Sequence, residues 1–590
     1  MDGLDELWRR RIIREVGGES YDFSHDRIRD VAYATISQAR RRLLHRRAGE
    51  ALLRVHGREA GAVQGQLGYH FASAGDNPAA IGHFRQAAAV ALERYAHTDA
   101  ASYLTAAITL AASAGDAALY PLLAERERVN RAARRMDEWV ADLALLTPLV
   151  ERMHDGSPQA IRRAAVLTLS RHYRASWAGD SSLALCLAQE AAELAQSCGD
   201  QAIEAEALLR CGQELWAQGS LDAAQPILIE GYAKAMAAGL PALAGISLER
   251  QAQIQMFAGG SAARIGELLR ESLRLYEDAG SETGVSEILN KLGYLPLAQG
   301  YGDYAEVLAH FARGMEIAQR IGHRAVEVNL LRNLALLHTC QGEYRRAQER
   351  WGQAQDVIDR AQDEPNRGVI ENYRGFGLLQ QGRLAAAKAT QEKALALLRS
   401  HRRHLWTVRA ITALGWIAFY EGDWVEAEAR ATEAIAESEA FNEERQIAHS
   451  CTLRGWARLR LGRVDEAIPD FQRSAEILLR LEMENRAQEP LAGLAQAALQ
   501  KGDLPAASAQ AIPIAQHLLA HPLDRTADTF LAIQTCHAIL RGAGDPLAAA
   551  VQELALSHLR QRAGQIDPAH LDGFWAMPGH RELAYTDIAE

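Results

Sequence analysis

Tryptophan and arginine recur in this sequence at a spacing that could build a binding surface. Trp416 and Trp456 are forty residues apart, and Arg409 precedes the first of them by seven residues. Both residue types are enriched among the side chains that carry most of the binding energy at protein interfaces. Large aromatic side chains also fill gaps between packed helices, and this structural role is the alternative for each tryptophan.

The titratable side chains form no pattern typical of catalysis or of metal binding. His401 and His404 are three residues apart, but two imidazoles with two arginines between them are too few and too positively surrounded for a zinc site. Cys536 and His537 are neighbours, and neighbouring side chains diverge on a helix. The sequence contains no Gly-Lys dipeptide, so it has no G-x-x-x-x-G-K-[ST] phosphate loop. We therefore predict a protein that is not an enzyme and that binds no metal, no cofactor and, by itself, no ATP.

Composition favours helices over strands and argues against nucleic acid as a partner. The 590 residues are rich in Ala, Leu, Arg, Glu and Gln, which are good helix formers, and only 6% are aromatic. The formal net charge of −11 opposes the basic footprint that nucleic-acid binding requires. No apolar run reaches the about 18 to 20 residues of a membrane helix, and the start does not resemble a signal peptide. We expect a soluble, cytoplasmic, all-α protein.

A forty-residue repeat must position these side chains. Its marker is a glycine, which stands at Gly342, Gly382, Gly422, Gly462 and Gly502. An alanine follows each of these glycines by five residues, and a glycine or alanine precedes each by seven. Such offsets predict two helices that are joined at the glycine and cross so closely that only small side chains fit. The same offsets recur with small slips from residue 75, through Gly260 and Gly302, to residue 544, so the helical hairpin is the unit of most of the chain.

The residues around each glycine resemble the tetratricopeptide repeat. The resemblance is carried by Leu414-Gly415, Gly422, Ala427 and Ala434, and again by Leu67-Gly68, Phe71, Gly75, Ala80 and Ala87. It implies a right-handed superhelical solenoid of helical hairpins that presents a concave groove to a partner. The family's usual unit is about 34 residues, so a period of forty implies slightly longer helices.

The resemblance also implies which residues face the groove. In this family the concave positions of the first helix lie 13, 10, 6 and 3 residues before the glycine. The candidate groove residues are Asn329, Arg332, Thr339, Asn372, Arg409, Thr412, Trp416, His449, Thr452 and Trp456. Within this set we expect Trp416 and Trp456 to be apolar anchors and Arg332 and Arg409 to recognise an anionic group.

The N-terminal block has a character of its own. Residues 4–15 read as a helix, residues 16–23 as a short hairpin that turns at Gly17-Gly18, and a long helix is predicted from about Asp26 to Val55. The string Tyr21-Asp-Phe-Ser-His-Asp-Arg-Ile-Arg-Asp-Val-Ala-Tyr33, with His45 and His70 after it, resembles the junction of large bacterial signal-transduction ATPases. In these proteins, including ATP-dependent LuxR-type and maltose-regulator-like activators, a winged helix precedes a tetratricopeptide array.

The resemblance implies the sensor half of such a regulator without its ATPase module. The expected segments are a winged-helix remnant with a linking helix over 1–58, irregular hairpins over 59–178, a regular solenoid over 179–560 and a C-terminal tail over 561–590. The predicted function is a non-enzymatic scaffold in bacterial signal transduction or transcriptional regulation. Its partner would be a protein or peptide, an ATPase module or a small effector. No membrane association is expected. The alternatives are a regulator fragment that contacts DNA, and the regulatory half of an ATPase, cyclase or kinase system.

Overall fold

The protein is described here by a computed structural model. The structure describes residues 2–15, 21–94, 96–257, 260–299, 303–361, 363–441, 443–521, 529–580 and 583. The predicted glycines Gly17, Gly18 and Gly302 and the end of the expected C-terminal tail lie outside these residues. The chain forms two compact units, Met1–Ile203 and Glu204–Glu590, and each is treated by itself.

The prediction of an all-α fold is confirmed. The described residues form twenty-nine α-helices and one two-stranded sheet, in which β1 (Ile13–Glu15) pairs antiparallel with β2 (Tyr21–Phe23). Ile13 lies opposite Phe23 in the register of this sheet. A hairpin therefore stands where the sequence predicts one, although its first strand starts three residues earlier than residue 16. The winged-helix remnant itself stays a prediction.

The described residues of the first unit form ten α-helices and one 3-10 helix. They are α1 Asp2–Arg9, α2 Asp26–Thr35, α3 Gln38–His56, a 3-10 helix Gly57–Val63, α4 Gln64–Ala74, α5 Asn77–Glu93, α6 His97–Ala111, α7 Asp116–Ala132, α8 Met136–Arg152, α9 Pro158–Trp177 and α10 Ser181–Cys198. From α3 to α10 each α-helix packs against the next. The long helix expected from about Asp26 to Val55 is two helices. Ile36 is extended, and the hydroxyl of Ser37 accepts a hydrogen bond from the backbone N–H of Arg40, so a new helix begins there.

The second unit continues the same pattern. Its helices are α11 Gln201–Ala217, within which the division falls, α12 Leu221–Ala237, α13 Pro241–Phe257, α14 Ala262–Asp278, α15 Glu282–Gln299, α16 Tyr304–Ile321, α17 Arg324–Cys340, α18 Tyr344–Ala361, α19 Glu364–Gln380, α20 Leu384–Ser400, α21 His404–Glu421, α22 Trp424–Glu439, α23 Glu444–Arg460, α24 Val464–Arg480, α25 Glu484–Gln500, α26 Leu504–Ala520, α27 Thr529–Gly542, α28 Leu547–Ala563, a 3-10 helix Pro568–His570 and α29 Leu571–Ala576.

The repeated glycine ends the first helix of each hairpin, as the sequence predicts. Gly422 follows α21 with a φ of +85°, a left-handed conformation that costs glycine little and other residues more. The next residue, Asp423, caps α22, because its carboxylate accepts a hydrogen bond of 3.1 Å from the backbone N–H of Glu426. The turn and the start of the second helix are thus encoded by two adjacent residues.

Small residues allow the two helices of a hairpin to cross closely. Ala427 and Ala467 have no exposed surface, and a Cβ added at Gly415 of α21 would lie 3.1 Å from the Cβ of Arg430 on α22. It would also lie 2.6 Å from Leu453 on α23, the first helix of the next hairpin. The forty-residue pattern of small side chains therefore records the lines along which helices touch.

The second unit also makes contacts between residues far apart in sequence. The backbone N–H at the start of α14, in Ala262, donates a hydrogen bond of 3.2 Å to the carboxylate of Glu482, 220 residues later. Arg562 of α28 donates to the carbonyl of Cys340 at 3.0 Å and to the side chain of Gln380 at 3.4 Å. The intervening hairpins therefore curve around a common interior. No helix in the described part of the chain is both long and apolar enough to cross a membrane.

Gly455→Ala should destabilise the second unit. Phe471 is fully buried, and a Cβ added at Gly455 or at Gly493 would lie 2.7 or 2.4 Å from its ring, so the ring has no room to move away. We expect the free energy of unfolding in urea to fall by about 1–3 kcal/mol, the usual cost of overpacking. Gly352→Ala is the matched control: a Cβ there meets no atom within 4 Å. This control should raise stability by about 0.5–1 kcal/mol through helix propensity. A gain at both positions would contradict the close crossing.

Candidate ligand-binding cavity

The first helices of six consecutive hairpins face a shared interior in the second unit. Residues of α15, α17, α19, α21, α23 and α25 line one space of about 1050 Å³, counting the part open to solvent. An adjoining space of about 1270 Å³ is lined chiefly by α13, α15, α17, α21 and α23. Tyr294, Arg409, Arg445 and Gln446 line both spaces, which therefore form one continuous cavity. We call it the arginine cavity.

Four arginines give the cavity its charge. Arg332, Arg409, Arg445 and Arg486 reach it from α17, α21, α23 and α25. Among the described residues, no carboxylate lies within the 4.0 Å of an ion pair from any of these four guanidinium groups. Each of the four arginines is partly buried, and charges withdrawn from solvent are normally paired.

Neutral and aromatic groups surround the four arginines instead. Arg409 donates a hydrogen bond of 3.1 Å to the hydroxyl of Tyr373. The guanidinium carbons of Arg332 and Arg409 lie 5.4 and 4.9 Å from the ring centre of Trp406, within the range of cation–π contacts. The Nε of Arg486 is buried and has no hydrogen-bond partner among the described residues. Part of the donor capacity of the cluster therefore stays unused.

Three carboxylates line the cavity, and two of them have other partners. Glu249 pairs with Lys291, and Glu444 accepts a hydrogen bond of 2.7 Å from Arg480. Burial raises the pKa of the third, Glu443, although Arg409 and Arg445 oppose that rise. Glu489, outside the two linings, acts on Arg486, so four guanidinium groups face two carboxylates, Glu443 and Glu489, in a chain whose net charge is −11. Its field is positive where the field of the whole protein is negative.

Tyr294 lies at the centre of this field. Burial raises the pKa of its phenol, but the guanidinium groups of Arg409, Arg445 and Arg332 outweigh burial and lower that pKa to about 7. The pKa of His449 is lowered as well. Burial and the charges of Arg486, Arg409 and Arg445 hold its pKa well below the usual value, so the imidazole is neutral at pH 7. The positive charge of the arginines lowers both pKa values, whereas burial lowers that of His449 and opposes the shift of Tyr294.

The structure brings most of the candidate groove residues to this cavity. Asn372, Arg409, Thr412, Trp416 and His449 line its first space. Asn329 and Arg332 line the second space. The predicted anchor Trp416 is therefore a cavity residue, and the assignment of a binding role to this set stays a prediction.

Three candidate residues lie in helix contacts outside these two linings. Thr339 donates a hydrogen bond of 2.7 Å to the carbonyl of Ala335, one turn earlier in its own helix. Thr452 is bonded at 2.8 Å to the hydroxyl of Ser474 on the neighbouring helix. Trp456 is 3% exposed, and its ring centre lies 5.4 Å from that of Phe471. This is the packing role that the sequence left open for a tryptophan.

Sequence reasoning missed Arg445 and Arg486. They stand 17 and 16 residues before their repeat glycines, in the first turn of α23 and α25, whereas the positions considered begin 13 residues before the glycine. Repetition of arginine in the first turn of successive first helices was the available signal. Tyr294 gave no comparable signal, because its repeat has slipped from the forty-residue register.

Comparison with known proteins supports the repeat. A sequence profile of the family described as tetratricopeptide repeat matches residues 366–437, which contain most of α19, all of α20 and α21, and most of α22. Comparison with curated proteins gives no match. With the hairpins described above, the match identifies the fold as a tetratricopeptide-like solenoid.

Several solved structures of hairpin arrays are similar at low identity. The Cut9–Hcn1 hetero-tetramer of the APC/C is 15% identical, with 94% of this chain and 97% of that chain covered and a TM-score of 0.44. A Rap protein complexed with Competence and Sporulation Factor is 14% identical, with coverages of 69% and 100% and a TM-score of 0.38. A signal-transduction ATPase with a tetratricopeptide repeat sensor from Pyrococcus horikoshii is also 14% identical, with coverages of 74% and 58% and a TM-score of 0.37. At these scores none of them serves as a guide to the ligand.

Tyr294 should ionise near neutral pH in the purified protein. We expect tyrosinate absorbance to develop around pH 7 in the wild type and to be missing in Tyr294→Phe. Arg409→Gln should move this titration to higher pH, because Arg409 is the strongest of the charges that lower it. Arg473→Gln, which removes an exposed charge paired with Glu439, is the matched control and should not move it.

The same group should make stability depend on pH. A free tyrosine titrates at about 10, so between pH 7 and 10 the unfolded state binds more protons than the folded state. The free energy of unfolding of the wild type, relative to Tyr294→Phe, should therefore rise from pH 7 to pH 10, and this gain should be lost as pH falls through 7. If the difference in the free energy of unfolding between the wild type and Tyr294→Phe did not change with pH, the arginines would not lower the pKa of Tyr294.

Proposed function

We propose that this protein is a non-enzymatic sensing and interaction scaffold of bacterial signal transduction or transcriptional regulation, and that the arginine cavity binds its effector. One observation supports this most directly. Side chains from six hairpins converge on one interior, and beside Leu and Ala they include arginine, tyrosine, tryptophan and amide groups that packing alone would not require. Concave cavities with a few convergent polar groups are the usual form of ligand sites.

The relation to large signal-transduction ATPases and LuxR-type regulators is part of the same proposal. Its support is the N-terminal string from Tyr21 to Tyr33, with His45 and His70 after it, followed by an array of hairpins. In the structure the hydroxyl of Tyr33 lies 2.8 Å from His45, whose other ring nitrogen lies 2.9 Å from His70. These residues therefore tie α2, α3 and α4 together. On this proposal a protein partner, such as a separate ATPase module, would bind differently to the solenoid with and without its effector.

We propose binding rather than catalysis because of the chemistry of the lining. Guanidinium groups keep their protons at any physiological pH, and His449 stays neutral, so they can hold an anion but are poor proton donors or acceptors. Aromatic rings beside them add apolar contact surface. Such a set suits recognition of a charged ligand.

Filling the cavity tests this function. Ala413 lines the cavity on α21, so Ala413→Trp should occupy the interior, whereas Ala429→Trp adds the same bulk at an exposed position of α22. Each protein would be dialysed against a bacterial extract, and the compounds it concentrates would be identified by mass spectrometry. We expect the wild type and Ala429→Trp to concentrate the same ligand and Ala413→Trp to lose it. A wild type that concentrates nothing, or an Ala413→Trp variant that keeps every ligand, would contradict the proposal.

A further inference from the structure

We infer that the ligand of the arginine cavity is a small organic anion with at least two acid groups, carboxylates or phosphates, attached to a flat apolar part. This inference rests on the proposed function and names the chemical class of its effector. It follows from the number of charges in the cavity, the geometry of their donors, the aromatic lining and the closure of the space around them.

The number of charges sets the number of acid groups. Burial, together with the neighbouring Arg409, lowers the pKa of Arg332, Arg445 and Arg486, so each guanidinium makes the others more costly to bury. Glu443 acts on Arg445 and Glu489 acts on Arg486, so two of the four guanidinium charges are left without a carboxylate as counter-charge. An uncompensated buried charge is strongly destabilising, whereas a paired and hydrogen-bonded one is tolerated. A ligand with one negative charge would leave part of this cost in place, and a ligand with two or more would remove it.

The donor geometry suits carboxylate or phosphate oxygens. A guanidinium presents its N–H groups as a planar fork that matches two oxygens of either acid. Arg445 makes no hydrogen bond to another described residue, and Arg486 has a buried Nε without a partner. The contact between Arg486 and His449 is long, at 3.5 Å, so it leaves that donor weakly used as well. Two of the four forks are therefore available to a ligand without breaking an existing ion pair.

Aromatic side chains make the rest of the lining flat and apolar. Tyr373, Phe376 and Trp416 line the first space, and Trp406 lines the second. Arg332 and Arg409 lie over Tyr373 and Trp406, which fixes their guanidinium groups at the edge of the aromatic patch. A planar ring lying on this patch would direct its acid substituents toward the forks. An aromatic patch with guanidinium groups at its edge is thus complementary to a planar ring that carries acid groups at its periphery.

Closure of the interior favours a small molecule over a folded protein. The guanidinium groups lie inside the curve of hairpins that the contact between Ala262 and Glu482 completes. Arg562 of α28 lies against Cys340 and Gln380, two lining residues at another edge of the cavity. A folded partner could reach the rim of this space but not the guanidinium groups inside it. A small anion can enter it and contact all four arginines.

Calorimetry with defined probes tests the inference. The carboxylate arm compares benzene-1,3,5-tricarboxylate with its neutral triamide, and the phosphate arm compares naphthalene-1,5-diyl bisphosphate with 1,5-dihydroxynaphthalene. We expect at least one anion to bind with an affinity about tenfold or more above its neutral analogue, a gap that should shrink as salt is raised. The arm that binds more tightly distinguishes carboxylate from phosphate. Pentaglutamate serves as the peptide probe.

Charge-removing variants locate the site. Arg445→Gln and Arg486→Gln should each weaken binding of the preferred anion by about tenfold or more, while their ligand-free melting temperatures stay equal or rise, because a repulsive buried charge has been removed. Arg473→Gln, with the same change of charge on an exposed face, should bind as the wild type does. Should a cavity variant fail to fold, the rise in wild-type melting temperature with the anion, at constant ionic strength against sodium chloride, replaces it.

Three results would overturn the inference. Neutral analogues that bind as tightly as the anions would show that charge does not select the ligand. Anion binding that persists in both cavity variants would place the anion elsewhere. Pentaglutamate binding more tightly than both small anions would assign the cavity to an acidic peptide. If Ala413→Trp still abolished capture of the ligand from extract, each of these results would leave the proposed function standing and remove only the small anion.

Discussion

The close crossing of two helices at small residues is the constraint on which the rest of this structure depends. An alanine or glycine at each crossing lets the helices approach, and a glycine in the left-handed conformation returns the chain after each first helix. Because this unit recurs every forty residues, each first helix turns the same face toward the interior. The cavity is the sum of those faces. Disrupting one helix crossing would therefore displace cavity-lining residues as well as lower the stability of the hairpin.

Repulsion among the arginines of the cavity destabilises the fold, and packing elsewhere must offset this free-energy cost. Four partly buried guanidinium groups face two carboxylates, Glu443 and Glu489, and the excess positive charge lowers the pKa of the Tyr294 phenol. Contacts of Arg332 and Arg409 with Trp406 and Tyr373 hold part of this charge in place without neutralising it. Packing alone does not require like charges to cluster inside the solenoid. Binding of an anion would require such a cluster, in agreement with the proposed function.

The local code of the fold could be predicted from the sequence, and its long-range consequences could not. The glycine period gave the hairpins, their turns and the caps such as Asp423, because each of these depends on residues within one turn of the chain. The break at Ile36 was missed since apolar and basic residues continue through it. Family offsets found Arg409 and Trp416 but also Thr452 and Trp456, which pack between helices. Curvature of the array decides which of these positions meet, and it arises from contacts such as that of Glu482 with Ala262, 220 residues apart.

We propose that an external anion pairs with Arg445 and Arg486, which form no ion pair within 4.0 Å with a carboxylate among the described residues. A crystal structure of the protein grown with selenate at low ionic strength tests this directly, since anomalous scattering locates the anion. The account predicts a selenium peak inside the cavity with oxygens within hydrogen-bond distance of Arg445 or Arg486. A cavity that holds only water, or one in which Glu443 or another carboxylate of the chain has moved in to pair with these arginines, would contradict it.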